Sequence, residues 1–144
     1  MITNSPKQTQ KIAELLVKTI TKDSNNPNIF AIQGDLGAGK TTFIQGIAKA
    51  LKKKEKILSP TFVIMKKFPL DKKLPFSELY HFDCYRFDQP QEVLVLGFKE
   101  IINNPKNIVF IEWPEKIKTL IPKNAIWINF EVVGKNKRSI TIKK

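Results

Sequence analysis

A run of nine residues, Gly34 to Thr42, has the composition of a loop that binds phosphate groups. Its sequence, GDLGAGKTT, satisfies the pattern G-x-x-x-x-G-K-[ST]. A loop that curls around a polyphosphate turns its backbone N–H groups inward, and glycine best tolerates the backbone angles and the close approach that this requires. The pattern therefore predicts that the chain binds a nucleoside triphosphate together with Mg²⁺.

The side chains of the loop have separate chemical tasks. Lys40 places a positive charge near the β- and γ-phosphates, and the Thr41 hydroxyl is suited to ligate Mg²⁺. The helix predicted after the loop points the positive end of its dipole at the phosphates. The predicted nucleotide-binding residues of the loop are Gly34, Gly37, Ala38, Gly39, Lys40, Thr41 and Thr42.

The sequence on both sides of the loop agrees with this interpretation. Residues 28–33, NIFAIQ, form a short apolar run typical of a buried strand, and apolar residues recur at helical spacing from Phe43 to Leu51. The order strand, loop, helix is the one that the motif requires. This order favours a phosphate-binding loop over a chance glycine-rich turn, but it does not indicate which reaction uses the triphosphate.

A triphosphate hydrolase also needs a carboxylate near the metal ion, commonly at the end of an apolar strand. Glu112 follows the apolar run 108–111, and Asp83 follows a more amphipathic strand. The carboxyl ends of strands are where ligands bind in sheets of this kind, which favours both candidates. The alternatives are a strand-end carboxylate facing water for Glu112 and a structural hydrogen bond for Asp83.

Four further residues have both a functional and a structural interpretation. Thr61 lies in a Ser-Pro-Thr turn, so its hydroxyl either senses the γ-phosphate and Mg²⁺ or belongs to an ordinary turn. Trp113 is either a switch aromatic or part of the core. Arg86 either stabilises charge on a transferring phosphoryl group or forms a salt bridge. His81, the only histidine, is interpreted as a structural or substrate-side residue.

The composition limits the class of protein. The chain has 144 residues, of which 42% are hydrophobic, enough for one domain with an ordinary core. It has no apolar run of membrane-spanning length, and its single cysteine, Cys84, fits a reducing cytosol. We therefore expect a cytoplasmic protein.

The net charge is +12, and 23 of the 25 basic residues are lysine. This excess indicates either an affinity for polyanions such as RNA or the codon usage of an AT-rich genome. Proteins that read a nucleic-acid sequence favour arginine, so weak attraction to tRNA is a better expectation than DNA readout.

The order of the predicted elements indicates an α/β fold. Helices alternate with strands early in the chain, and strands pair late. We expect a single P-loop NTPase-like domain over residues 1–144, with a mixed, mostly parallel sheet flanked by helices and an antiparallel edge. The first predicted helix spans 9–21 and has Ile12, Leu15, Leu16 and Ile20 on its buried side. An exposed hairpin connection over 66–76 precedes a strand over 79–83 and a helical stretch over 90–102 that is broken near Gly97. A helix between Pro114 and Pro122 and a final pair of strands over 125–133 and 139–142 complete the predicted elements.

Five segments in order make a more specific pattern. They are GDLGAGKTT, SPTFVIM, YHFDCYR, LGFKE and IEWPEK, and at these spacings they resemble the TsaE (YjeE) family over nearly the whole chain. The resemblance implies an ATPase, weak alone, that is required for threonylcarbamoyladenosine modification of tRNA next to the anticodon. It also implies that the chain acts with the TsaB–TsaD heterodimer and contacts tRNA through that complex. The chain itself would not transfer the threonylcarbamoyl group.

The resemblance also assigns residues. It implies ATP and Mg²⁺ as cofactors, phosphate binding by residues 37–42, and Mg²⁺ held by Thr41 and Glu112. It implies Lys40, Asp83 and Glu112 as catalytic residues, with Thr61 and Trp113 in nucleotide-responsive segments. No N-K-x-D element for guanine is present, which favours ATP over GTP. Two other classes stay open, a small P-loop phosphotransferase and a basic RNA-binding module switched by nucleotide.

Overall fold

The computed structural model describes residues 1–20, 28–51 and 64–144. Its three α-helices are α1 (Pro6–Ile20), α2 (Lys40–Ala50) and α3 (Phe98–Asn103), and two 3₁₀ helices span Pro90–Leu96 and Pro114–Leu120. The strands are β1 (Ile2–Thr3), β2 (Asn28–Gln33), β3 (Met65–Pro69), β4 (Glu78–Asp83), β5 (Asn107–Glu112), β6 (Ile126–Val132) and β7 (Arg138–Lys143). None of the described helices is long and apolar enough to cross a membrane.

The seven strands form one mixed sheet in the order β1-β7-β6-β2-β5-β4-β3. The central pairs β2–β6, β2–β5 and β4–β5 are parallel, whereas β3–β4, β6–β7 and β1–β7 are antiparallel. The predicted mixed sheet with a parallel centre is therefore confirmed. Antiparallel pairs lie at both edges of the sheet, where the sequence had indicated one.

Both faces of the central strands are buried, as expected when parallel strands are covered on two sides. Along β5, Ile108 and Phe110 belong to the core that α1 and α2 cover. Val109 and Ile111 belong to the core on the opposite face, which contains Phe98 of α3. Successive side chains of a strand point to opposite faces, so the strand-end residues Asp83 and Glu112 can be assigned to a face by counting along β4 and β5.

Helix α1 packs with most of the predicted side, because Ile20 is buried and Ile12 and Leu16 are partly buried against the core. Its buried residues are Thr9, Ala13, Val17 and Ile20, and Leu15 is 54% exposed. The two helices cross where Gly46 of α2 meets α1, and a Cβ on Gly46 would lie 2.9 Å from the Cβ of Ala13. The close approach at the crossing point centres the buried face on Ala13, so Leu15 is the one predicted residue that is exposed.

The predicted exposed connection over 66–76 is wrong in part. Residues from Lys66 to Pro69 belong to β3, and Phe68 and Phe76 are buried. The prediction followed Pro69, Asp71 and Pro75, whereas Phe68 alternates with the exposed Lys67 and Pro69 and is buried in the core. The sequence also predicts a β-rich stretch over 62–65, of which residues 62 and 63 lie outside the described residues.

The remaining elements agree with the sequence except in detail. The break at Gly97 separates the first 3₁₀ helix from α3, and the segment after Pro114 is also a 3₁₀ helix. The final strands pair through a turn at residues 134–137. The two-residue strand β1 was not predicted, because so short a strand has no periodic pattern.

Candidate functional site

The glycine-rich loop joins the end of β2 to the start of α2. Gly34, its first residue, has a φ of 149°, a backbone conformation that side chains other than glycine rarely adopt. A Cβ at this position would lie 2.7 Å from the carbonyl oxygen of Phe130 on the neighbouring strand β6. The loop leaves β2 through a gap that only glycine fits. The first turn of α2 then follows, where N–H groups lack partners within the helix.

Lys40, the first residue of α2, folds back over the loop. Its Nζ donates to the carbonyl oxygens of Gly34, at 2.5 Å, and Asp35, at 2.9 Å, and the residue is only 6% exposed. Burial lowers the pKa of Lys40 below its usual value, and the carboxylates of Glu112, Glu115, Asp83 and Asp35 oppose that shift. The loop therefore holds a buried ammonium group that has acidic side chains nearby.

Asp83 and Glu112 lie side by side because β4 and β5 are parallel and in register. The two residues are paired partners at the carboxyl ends of their strands. The backbone of each strand end is also fixed: Asp83 N–H donates to the carbonyl of Ile64 at 2.8 Å, and Cys84 N–H donates to the carbonyl of Glu112 at 3.0 Å. The alternation of β5 places Glu112 on the α2 face of the sheet, where the loop lies.

These residues share one cavity of about 440 Å³. Pockets for small ligands are commonly of this size. The lining comprises Leu36, Gly37, Ala38, Gly39, Lys40, Thr41, Thr42, Ile64, Asp83, Tyr85, Arg86, Glu112 and Trp113. All the site residues predicted from the sequence line it, apart from two. Gly34 shapes the loop from outside the cavity, and Thr61 lies outside the described residues.

Trp113 has the only positive φ of a non-glycine residue in the part of the chain that the structure describes, at 56°. Such a conformation in a bulky residue is an outlier that the surrounding structure must hold in place. Its ring lies 4.9 Å from that of Tyr85, and Nζ of Lys40 lies 4.8 Å from its centroid. Trp113 therefore lines the cavity beside the loop lysine as well as packing against the core, so the two interpretations of this residue are not exclusive.

Both arginines of the chain lie at the site. Arg86 lines the cavity, a position that suits stabilisation of phosphoryl charge, the first of its two interpretations. Arg138 on β7 donates from its guanidinium to the carbonyl oxygen of Gly37 at 3.2 Å and to that of Gly134 at 3.3 Å. Sequence reasoning assigned no role to Arg138. The available signal was its residue type, since only two of the 25 basic residues are arginine, and arginine forms directed hydrogen bonds that lysine cannot.

His81 contacts one of the candidate site residues and not the cavity. Its Nε2 lies 2.7 Å from Oε2 of Glu112, and both side chains are buried. The sequence interpretation of His81 as a structural residue agrees with this position, but did not identify its partner. Cys84 is buried beside the acidic strand ends, and burial raises the pKa of its thiol to about 12.

A strand, a glycine-rich loop and a helix beside two acidic strand ends define a P-loop nucleotide-binding protein. The comparisons with known proteins make the class more specific. The family model described as threonylcarbamoyl adenosine biosynthesis protein TsaE matches residues 3–140. The chain belongs to the TsaE family.

Individual relatives agree with this assignment. The TsaE protein of Rickettsia typhi is 39% identical over 143 residues, covering 98% of this chain and 92% of the relative. The TsaE protein of Bacillus subtilis is 34% identical, covering 96% of this chain and 81% of the relative. A crystal structure of Bacillus subtilis YdiB superposes with a TM-score of 0.72 at 29% identity, covering 99% of this chain and 82% of that one.

Proposed function

We propose that the chain binds ATP with Mg²⁺ in the cavity and hydrolyses it to support threonylcarbamoyladenosine modification of tRNA. The observation that carries the proposal is the convergence of the loop, Lys40, Asp83 and Glu112 on one cavity of about 440 Å³. The family membership supplies the pathway, because the matching family model and the relatives are described as threonylcarbamoyladenosine biosynthesis proteins. The loop and its helix would bind the phosphates, with Lys40 beside them.

The residues present fit a magnesium ion. The Thr41 hydroxyl and the Glu112 carboxylate both line the cavity and offer the hard oxygen ligands that Mg²⁺ prefers. Mg²⁺ is usually bound by one or two protein ligands together with substrate phosphates. When bound, the ion neutralises charge that develops on the phosphate oxygens.

Asp83 and Arg86 complete the proposed chemistry. Asp83 pairs with Glu112 across the strands and lines the cavity, and it would orient or deprotonate an attacking water molecule. The guanidinium of Arg86 supplies positive charge for the transferring phosphoryl group. Hydrolysis of ATP is then a matter of positioning and electrostatic stabilisation, which account for most catalysis of phosphoryl transfer.

The proposal includes partners and a compartment. Following the resemblance to TsaE, the chain would act in the cytoplasm with a TsaB–TsaD heterodimer, which transfers the threonylcarbamoyl group, and would meet tRNA through that complex. We expect slow turnover by the chain alone. Closure of a site by a partner excludes water and completes the catalytic arrangement.

Substitution of Lys40 and Glu112 tests the proposal. Lys40→Ala and Glu112→Ala should each abolish ATP turnover and tRNA modification in a mixture reconstituted with TsaB and TsaD, while both variants remain folded by circular dichroism. If both activities survive either substitution, the mechanism is wrong. Transfer of label from γ-labelled ATP to an acceptor other than water would instead support a phosphotransferase.

A further inference from the structure

His81 and Glu112 form a buried polar pair behind the cavity. His81 is 0% exposed and Glu112 is 3% exposed. A buried charged group is costly unless a hydrogen bond compensates it, and the Nε2–Oε2 distance of 2.7 Å is that of a strong hydrogen bond. The pair therefore needs an explanation beyond packing, since an apolar residue in place of His81 would avoid the cost of burying an imidazole.

The strand register explains why these two side chains meet. On the parallel pair β4–β5, Asp83 lies opposite Glu112 and His81 lies opposite Phe110. His81 is two residues before Asp83, so both point to the same face of the sheet. Glu112 lines the cavity and His81 does not. Any effect of His81 on the cavity must therefore act through Glu112.

The hydrogen bond also defines the tautomer of the imidazole. A carboxylate can only accept, so Nε2 of His81 carries the proton and donates to Oε2 of Glu112. Nδ1 of His81 is buried and has no hydrogen-bond partner among the described residues. The contact with Glu112 is therefore the one side-chain hydrogen bond that the imidazole makes in the part of the chain that the structure describes.

We infer that His81 is a positioning residue for Glu112 and, through it, for the divalent cation that accompanies the nucleotide. This inference rests on the proposed function, because it takes Glu112 as a ligand of that cation. The Nε2–H bond restricts the rotation of the carboxylate and so holds it against the cavity. Mg²⁺ requires near-ideal octahedral geometry, so a carboxylate that rotates freely binds it less well. Groups that orient a metal ligand in this way typically change metal affinity by about 10- to 100-fold when they are removed.

The decisive experiment compares His81→Phe with His81→Gln. Phenylalanine keeps a planar ring but cannot donate, whereas the glutamine amide offers an N–H near the position of Nε2. The probe is Mn²⁺, whose free concentration is read by electron paramagnetic resonance in the presence of ADP. His81→Phe should weaken Mn²⁺ binding by about 10- to 100-fold and leave ADP binding without metal unchanged, and His81→Gln should restore most of the affinity. Wild-type Mn²⁺ affinity in His81→Phe, or equal weakening in both variants, would overturn the inference.

Asn107→Leu is the matched control for loss of a buried hydrogen bond. Asn107 lies at the opposite end of β5, is 4% exposed, and donates from Nδ2 to the carbonyl of Ile101 at 2.9 Å. Its replacement should lower the free energy of unfolding and leave Mn²⁺ binding unchanged. If Asn107→Leu weakened Mn²⁺ binding as much as His81→Phe, the effect would be general destabilisation and His81 would have no positioning role.

Nuclear magnetic resonance of the wild-type protein tests the same inference without a variant. His81 is the only histidine, so the spectrum of ¹⁵N-labelled protein contains a single pair of imidazole nitrogen signals. In the protein without nucleotide, Nε2 should carry a proton that is hydrogen-bonded to Glu112. A Nε2 without a proton would contradict the donation to Glu112 and with it the inference, and this test needs no variant that folds.

Glu112→Ala separates failure of this inference from failure of the proposed function. If Glu112→Ala binds Mn²⁺ and ADP as the wild type does, Glu112 is not a ligand and the proposed cation site is wrong. If Glu112→Ala binds Mn²⁺ weakly while His81→Phe binds it normally, the cation site stands and only the role of His81 is wrong.

Discussion

Substitution of Gly34 by alanine should destabilise the fold for two independent reasons. The φ of 149° is one that L-residues rarely adopt, and such backbone strain costs about 1–3 kcal/mol. The added Cβ would lie 2.7 Å from the carbonyl oxygen of Phe130 and 2.9 Å from its Cβ. These atoms belong to β6 and cannot rotate away, and overpacking of this kind costs about 1–3 kcal/mol more. The two costs together predict a loss of about 2–6 kcal/mol in the free energy of unfolding.

Gly37→Ala is the matched comparison within the same loop. Gly37 has a positive φ of 77°, but a Cβ there would meet no atom within 4 Å. Only the cost of a left-handed residue remains, about 1–2 kcal/mol. Urea unfolding of both variants, followed by tryptophan fluorescence, gives the two losses directly. Equal losses, or a smaller loss in Gly34→Ala, would refute the claim that β6 closes against the loop at Gly34.

Three further predictions concern neighbouring parts of the structure. Gly46→Ala should lower the free energy of unfolding by about 1–3 kcal/mol in urea titrations, although alanine favours helix, because its Cβ would lie 2.8 Å from the Cα of Gln10. Arg138→Met should weaken ADP binding in calorimetric titration, because it removes the donor to the Gly37 carbonyl. Arg138→Lys should bind ADP as weakly as Arg138→Met, because lysine lacks the second donor nitrogen of the guanidinium group. Cys84 should resist iodoacetamide at about pH 8 in the folded protein and react in urea, because burial raises its pKa to about 12; rapid alkylation of the folded protein would contradict its burial.

The parts of the site that follow from local sequence were predictable. The loop and its helix are specified by nine consecutive residues, and Glu112 stands at the end of an apolar run. Each of these features depends on neighbours in the chain. Strand boundaries at β2 and β5 also agree with the sequence to within one residue, because continuous apolar runs flanked by polar residues mark buried strands clearly.

What could not be predicted depends on contacts between distant segments. The His81–Glu112 pair exists because β4 lies beside β5 in a particular register, and no local pattern encodes that choice. The contact of Arg138 with Gly37 joins residues 101 positions apart. Leu15 of α1 is exposed, contrary to the prediction, because the close approach at Gly46 centres the buried face on Ala13, and hydrophobic periodicity on one helix carries no information about its partner.

Phosphate release from ATP tests most directly whether the cavity is an ATP-hydrolysing site that becomes fully active with partners. The purified chain is assayed with Mg²⁺, in the presence and absence of a TsaB–TsaD pair. We expect slow release by the chain alone, clear stimulation by the pair, and no stimulated release by Lys40→Ala. Equal release with and without the pair would contradict a partner-dependent site, because the site would then be complete in the chain alone.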